Sequence, residues 1–161
     1  MITPELIGQI ATALSVIVSS IAMGANLFDI IVNEVNLIKG FPNSVEYVRK
    51  YWAYRNPGDF YKIITPLYVL VTLVALAVFW DVTYERRYLL LGALLAYGAT
   101  QAITVIYFFP QNAILREGRL EEVEKLFTQF ATTRLYLDLL RNLLTLTASV
   151  LALVALTRPL P

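Results

Sequence analysis

Small and polar residues recur along the first part of the chain at alternating spacings of four and three positions, between residues that are almost all apolar. They are Ser15, Ser19, Ala22, Asn26, Asp29, Asn33 and Asn36. Side chains at these spacings share one face of an α-helix, and the other faces are apolar enough to contact lipid. The pattern therefore predicts a membrane helix with a polar stripe that faces inward. The stripe changes from hydroxyl groups to amides and a carboxylate along its length.

Four apolar segments are long enough to cross a bilayer, which requires about 20 mostly apolar residues. They extend over approximately Ile7–Val32, Ile63–Trp80, Tyr88–Phe109 and Leu135–Leu156. The chain of 161 residues is 58% hydrophobic and only 16% charged, whereas soluble domains carry about 25% charged residues. We therefore predict a multi-pass integral membrane protein with four spans, folded as one domain over residues 1–161.

The lengths of the connections predict how the spans are arranged. Modest loops between consecutive spans favour alternating directions, so we predict an all-α fold, an antiparallel four-helix transmembrane bundle. A short amphipathic helix after Pro42 carries aromatic and charged faces that are typical of the membrane interface. Helices 3 and 4 are predicted to extend beyond the membrane on the same side. The segment Arg119–Thr157 contains neither Gly nor Pro, which predicts one long helix or two with a slight break.

The composition excludes several classes of chemistry. The chain contains no cysteine and no histidine. This excludes disulfide bonds, thiol catalysis and iron–sulfur ligation, and it removes the commonest metal ligand, the usual haem ligand and the usual general base. A net charge of +1 gives no basic surface for nucleic acid. We therefore expect no metal, no cofactor and no nucleic-acid partner, and we expect contact with the lipid bilayer.

Alternating spans would bring polar residues from all four helices to one half of the bundle. This convergence predicts a polar pocket in that half, capped by the two longer connections at residues 39–56 and 113–133. The candidate catalytic residues are Asp138, Arg141 and Asp29, and the candidate ligand-binding residues are Asn26, Asn33, Lys62, Gln101, Tyr107, Asn112, Arg134 and Asn142. Charged residues inside membrane spans mark functional sites by default. The excess of basic groups favours an anionic or oxygen-rich ligand.

The same residues also allow a structural interpretation. Amides and hydroxyls in membrane helices commonly form interhelical hydrogen bonds, and Asp29, Lys62, Asp138 and Arg141 could form two buried ion pairs that fix the register of the helices. Three functions stay open. The protein could bind or oxidise a small lipophilic molecule, it could be a non-enzymatic scaffold or accessory subunit in a homo-oligomer or larger membrane complex, or it could be a transporter. The apolar character of the other half of the bundle disfavours transport.

Two short motifs in the C-terminal half are Tyr107-Phe108-Phe109-Pro110-Gln111-Asn112 and Asp138-Leu139-Leu140-Arg141-Asn142. Together they resemble the anthrone oxygenase-like family of four-helix membrane proteins, many of which are bacterial proteins of unknown function. Pro110 and Asn112 match a Pro-x-Asn pattern after the third helix, and Arg141 matches the arginine of an Asn-His-x-x-Arg-Thr pattern. Leu137, Asp138 and Asn142 depart from that pattern. The resemblance covers roughly residues 89–156.

The resemblance implies an activity and a location. It implies a cofactor-independent oxygenase in the bacterial inner membrane that acts on aromatic polyketide anthrones. Such chemistry needs a base that forms a carbanion and cations that hold the resulting anion. Asp138 or Asp29 would then be the base, and Arg141, Lys62 and Asn112 would hold the anion.

Overall fold

The protein folds into helices in the computed structural model, which describes residues 3–82, 84–129 and 133–159. The helices are α1 (Pro4–Lys39), α2 (Asn43–Trp52), α3 (Pro57–Phe79), α4 (Tyr84–Glu117), α5 (Leu120–Gln129) and α6 (Leu135–Thr157). The helices α1, α3, α4 and α6 are long and apolar enough to cross a membrane. The prediction of four spans in an all-α membrane protein is therefore confirmed.

The four spans pack as a bundle in which each helix contacts two neighbours. α6 packs against α1 and α4, and α3 packs against the same two helices. The short helices α2 and α5 lie at one end of this bundle, where α2 contacts the last turns of both α1 and α4. An apolar cluster holds these elements together, and its buried members are Leu37, Val45, Leu115, Val123 and Leu126. The short helix between spans 1 and 2 therefore lies over the bundle end.

Helix boundaries follow the capping signals in the sequence. The Thr3 hydroxyl accepts a hydrogen bond from the Leu6 amide at 3.3 Å, and α1 ends at Gly40. Asn56 and Asp59 form a capping box at the start of α3, where each side chain accepts from the other residue's backbone. These contacts satisfy amide groups that have no partner inside the helix.

The segment after Gly118 contains α5 and α6. Residues 130–132, where a continuous helix would have to pass, lie outside the described residues. α5 has a strongly one-sided distribution of apolar residues, and it buries Val123 and Leu126 against the ends of α2 and α4. Thr133 and Arg134, directly before α6, are helical as well. The choice between one long helix and two with a slight break therefore stays a prediction, because it depends on residues 130–132.

Two stretches of π-helix, one in α1 and one in α4, change which residues of these two spans face the interior. They are Asp29–Glu34 within α1 and Thr104–Phe108 within α4. A π turn contains an extra residue, so the side chains beyond it are rotated relative to a regular α-helix. Ser15, Ser19, Ala22 and Asn26 precede the first stretch and are buried, as predicted. At the end of this stretch and beyond it, Glu34 and Leu37 are buried, whereas Asn33 and Asn36 are exposed.

The end of the bundle away from α2 contains one buried charge that the sequence analysis missed. Arg86 is 1% exposed, and its guanidinium carbon lies 4.6 Å from the centroid of the Phe79 ring. Its Nη2 donates to the Arg158 carbonyl at the end of α6.

Hydroxyl pairs form hydrogen bonds in the middle of the bundle, with Ser15 and Thr72 at 3.0 Å and Ser19 and Ser149 at 2.8 Å.

Candidate functional site

Asn26 is the residue at which three of the spans meet. Its Oδ1 accepts a hydrogen bond from Nη2 of Arg141 at 2.6 Å and a second one from the Tyr61 hydroxyl. An amide oxygen has two lone pairs, and each is used here. Asn26 is 2% exposed, so these bonds form inside the bundle. They connect α1, α3 and α6 at one level.

Arg141 lies between a carboxylate and an aromatic ring. Its Nη1 is 3.6 Å from Oδ1 of Asp138, and its guanidinium carbon is 4.1 Å from the centroid of the Phe108 ring. All three residues are buried. Three buried polar atoms here have no hydrogen-bond partner among the described residues, namely Nε of Arg141, Oδ2 of Asp138 and Oδ1 of Asn142. These atoms leave donors and acceptors for a further polar group.

A second buried arginine lies on the side nearer to α2. Arg134 donates from Nε to Oε1 of Glu34 at 2.8 Å and from Nη1 to Oε1 of Gln111 at 2.9 Å. Its Nη2 lies 3.5 Å from Oδ1 of Asn112. The side chains of Arg134 and Glu34 are only 5% and 8% exposed. This cluster joins α1, α4 and α6.

Phe108 connects the two clusters. Its ring centroid lies 5.0 Å from the guanidinium carbon of Arg134 and 4.1 Å from that of Arg141. The electron-rich face of an aromatic ring attracts cations. Glu34 lies 2.8 Å from Nε of Arg134 and Asp138 lies 3.6 Å from Nη1 of Arg141, so each guanidinium group has a carboxyl group beside it. Charges inside a membrane helix are tolerated when they are paired in this way.

Most of the predicted site residues lie in or beside these clusters. Asn26, Arg134, Asp138, Arg141 and Asn142 are buried in them, and Asn112 is half-buried at their edge. Gln101 is half-buried on α4, and its Oε1 accepts from the Thr65 hydroxyl of α3 at 3.1 Å. The polar side chains of four spans therefore meet in one half of the bundle.

Lys62 was predicted to face inward, and the structure contradicts this. Its side chain is 75% exposed and lies 2.8 Å from Oδ1 of Asp59, one turn earlier on α3. The inward position belongs to the preceding residue, Tyr61, whose hydroxyl reaches Asn26. At the start of α3 the prediction was therefore one residue too late along the chain. Lys62 contacts neither Asp138 nor Arg141.

The π-helical stretches explain the other differences. Tyr107 is half-buried, and Phe108 occupies the interior position beside the arginines. Asn33 is exposed, and it donates from Nδ2 to Oδ1 of Asp29 at 2.9 Å. Asp29 is half-buried and belongs to neither cluster of buried arginines, where Glu34 is found instead. A regular period of 3.6 residues places Asn33 and Tyr107 inward, so Glu34 and Phe108 were missed.

A cavity of about 840 Å³ lies between α1, α2 and the buried clusters, and we call it the α2 cavity. Its lining residues are Phe28, Asp29, Asn33, Glu34, Asn36, Leu37, Gly40, Asn43, Ser44, Tyr47, Val48, Tyr51, Trp52, Pro57, Asn112, Leu115 and Arg134. The lining contains aromatic rings from α1 and α2 as well as amide and carboxylate groups. The buried pair of Glu34 and Arg134 contributes to the lining, whereas Arg141 and Asp138 lie outside it.

α2 is fixed over this cavity by one arginine. Arg49 donates from Nε to the Leu115 carbonyl at 2.8 Å and from Nη2 to the Gly118 carbonyl. These carbonyl groups lie at the end of α4, where a cation is also favoured by the helix dipole. The Ser44 hydroxyl at the start of α2 donates to the Leu37 carbonyl at 2.6 Å. α2 is therefore anchored to both α1 and α4.

Comparisons with known proteins give no family for this chain. No protein-family model matches it, and searches among curated proteins and among solved structures find no match either. Composition and structure support a four-span helical membrane protein with buried polar residues. None of these comparisons supports the resemblance to anthrone oxygenase-like proteins, so an activity of that kind is only a proposal for this chain.

Proposed function

We propose that this protein binds a small amphipathic molecule in the α2 cavity. The observation that carries this proposal is a cavity lined both by aromatic side chains and by the buried pair of Glu34 and Arg134. Its volume of about 840 Å³ suits a small organic ligand, because such sites typically measure about 300–1,000 Å³. The apolar part of the ligand would contact the rings, and its polar part would bind the amide and charged side chains of the lining.

The tryptophans provide a direct test. The chain has two, and Trp52 lines the α2 cavity whereas Trp80 lies at the opposite end of α3. In a Trp80→Phe background, Trp52 emission should change in a saturable manner when amphipathic probes are titrated into the protein in nanodiscs. Asn36→Phe adds bulk to the cavity lining and should abolish the change. Ile38→Phe is the matched control because Ile38 is on the same helix outside the lining.

A second candidate function is oxidation of the bound molecule, as the resemblance implies. The observation in its favour is that Glu34 is a carboxylate that lines the cavity with a cation beside it. Glu34 could take a proton from an acidic carbon of the ligand, and Arg134 would hold the resulting anion. Oxygen uptake with an anthrone substrate should then depend on Glu34 and be lost in Glu34→Gln.

The scaffold function remains the competing proposal. It expects no saturable change in Trp52 emission with any probe and no oxygen uptake. It further expects a defined homo-oligomer or larger complex, measurable by light scattering of the purified protein. A monomer that binds probes in the Trp52 assay would rule it out.

A further inference from the structure

The charges that line the α2 cavity do not cancel. The charged lining residues are Asp29, Glu34 and Arg134. Glu34 and Arg134 pair with each other at 2.8 Å, so Asp29 provides a formal charge of −1. No ion pair found in residues 3–82, 84–129 and 133–159 includes Asp29, and its carboxylate accepts one hydrogen bond there, from Asn33.

Asp29 and four aromatic side chains line the same cavity. Phe28 precedes Asp29 in the chain, and Tyr47, Tyr51 and Trp52 of α2 line the same cavity. Phe28, Tyr47 and Tyr51 are more than half exposed, so their rings are available to a ligand. A carboxylate together with several aromatic faces is the environment that binds ammonium groups.

The position of Asp29 along α1 fits a headgroup rather than an acyl chain. Pro4 and Asp29 are separated by about 38 Å at a rise of about 1.5 Å per residue. The hydrocarbon core of a bilayer is about 30 Å thick, so a helix that begins at one surface reaches the other before Asp29. A polar headgroup bound there would keep its apolar chain in the membrane.

We infer that the α2 cavity binds the ammonium group of a cationic amphiphile, with Asp29 as the counter-charge and the aromatic rings as the wall. This inference depends on the proposed binding function and specifies its ligand class. It replaces the anionic preference that the sequence favoured. That preference counted Lys62, which faces outward, and Arg134 and Arg141, each of which has a carboxylate close by.

The experiment compares amphiphiles that share one dodecyl chain and differ in headgroup. Dodecyltrimethylammonium, dodecyl maltoside and dodecanoate are titrated against the Trp80→Phe protein in phosphatidylglycerol nanodiscs while Trp52 emission is recorded. We expect the ammonium probe to bind at least about tenfold more tightly than the other two. Asp29→Asn should reduce this preference to about threefold or less, since one charge is removed and the shape is kept.

Glu46→Gln is the matched control because Glu46 is an exposed carboxylate on α2 that pairs with Lys50 and does not line the cavity. It should retain the full preference. If Glu46→Gln loses the preference as Asp29→Asn does, the probe is responding to general surface charge and the inference is overturned. A thermal melt of each variant verifies that the bundle is folded.

The outcomes separate this inference from the proposed function. Equal saturable binding of all three probes would overturn the ammonium inference and leave the binding function intact. Absence of saturable binding for every probe would overturn both. Repeating the titration in phosphatidylcholine discs identifies the source of the group. If phosphatidylcholine competes with dodecyltrimethylammonium, the natural ligand is a lipid headgroup. If binding of the probe is unchanged, the natural ligand is a free amphiphilic amine. Each result supports an ammonium site.

Discussion

The Nε atom of Arg134 donates to Oε1 of Glu34 at 2.8 Å and joins residues that are 100 positions apart in the chain. This contact fixes α6 against the last turns of α1 and forms part of the lining of the α2 cavity. It is a buried ion pair that also lines this cavity. Its contribution to the free energy of unfolding can be measured in the absence of any ligand.

Removal of one member of this pair should be costly. Arg134→Gln leaves the Glu34 carboxylate buried without its cation, which typically costs about 3–5 kcal/mol. The double variant Glu34→Gln/Arg134→Gln should recover a large part of that loss, because amides can hydrogen-bond to each other. The free energy of unfolding in detergent micelles measures both. Lys62→Gln, in an exposed pair with Asp59, is the control and should cost less than about 1 kcal/mol.

The ring of Phe108 should matter more than that of its neighbour. Phe108→Leu removes an aromatic face from two guanidinium groups and leaves space between them, so we expect a loss of roughly 1–3 kcal/mol. Phe109→Leu is the matched control because Phe109 is 46% exposed at the bundle surface. Thermal melts of the two variants compare them directly. Equal melting temperatures would show that the contacts of Phe108 with the arginines contribute little to stability.

The π-helical stretch in α1 should tolerate loss of one residue. Deletion of Ile31, which is 66% exposed, should convert the stretch to regular α-helix and keep Glu34 opposite Arg134. Deletion of Ile17, which is also exposed, should rotate the following residues by about 100° and remove Asn26 and Glu34 from their partners. Expression and size-exclusion profiles distinguish the two. The interpretation fails if both deletions are equally harmful.

Arg49 should control the mobility of α2. Arg49→Gln removes the charged donor to the carbonyl groups of Leu115 and Gly118, so we expect faster amide hydrogen exchange in α2 with little change in the four spans. Lys50→Gln is the control, since the Lys50 side chain is 77% exposed and pairs only with Glu46 among the described residues. Weaker probe binding by Arg49→Gln would connect the position of α2 with the cavity.

The sequence predicted the fold because the signals for it are strong and repeated. Long apolar segments, the capping residues Thr3 and Asn56, and the terminal residues Gly40 and Gly118 each act locally. The buried positions Asn26, Asp138 and Arg141 were also predicted, because they belong to regular α-helix where a period of 3.6 residues holds. What is local or strictly periodic could be read from the chain.

The rest depended on features without a periodic signature. A π turn shifts the buried face of a helix by one residue. Glu34 is therefore buried where Asn33 was predicted, and Phe108 is buried where Tyr107 was predicted. Lys62 was predicted to face inward on α3, whereas the preceding residue, Tyr61, occupies that position. The need of Arg134 for a carboxylate was a signal that could have identified Glu34. A polar pocket capped by residues 39–56 was predicted, and residues of that segment line the α2 cavity. Its position beside Arg134 rather than Arg141 could not be predicted, because it depends on how a short helix lies across two long ones.

The contacts of α1 have a consequence for biosynthesis. Asn26 and Glu34 receive hydrogen bonds from Arg141 and Arg134, both in or next to the last span. A nascent chain therefore presents the carboxylate of Glu34 and the amide of Asn26 before the ribosome has made the arginines. Until translation reaches α6, the carboxyl end of α1 must stay near water or be sheltered by the insertion machinery. The two buried arginine clusters are therefore completed only when α6 is inserted.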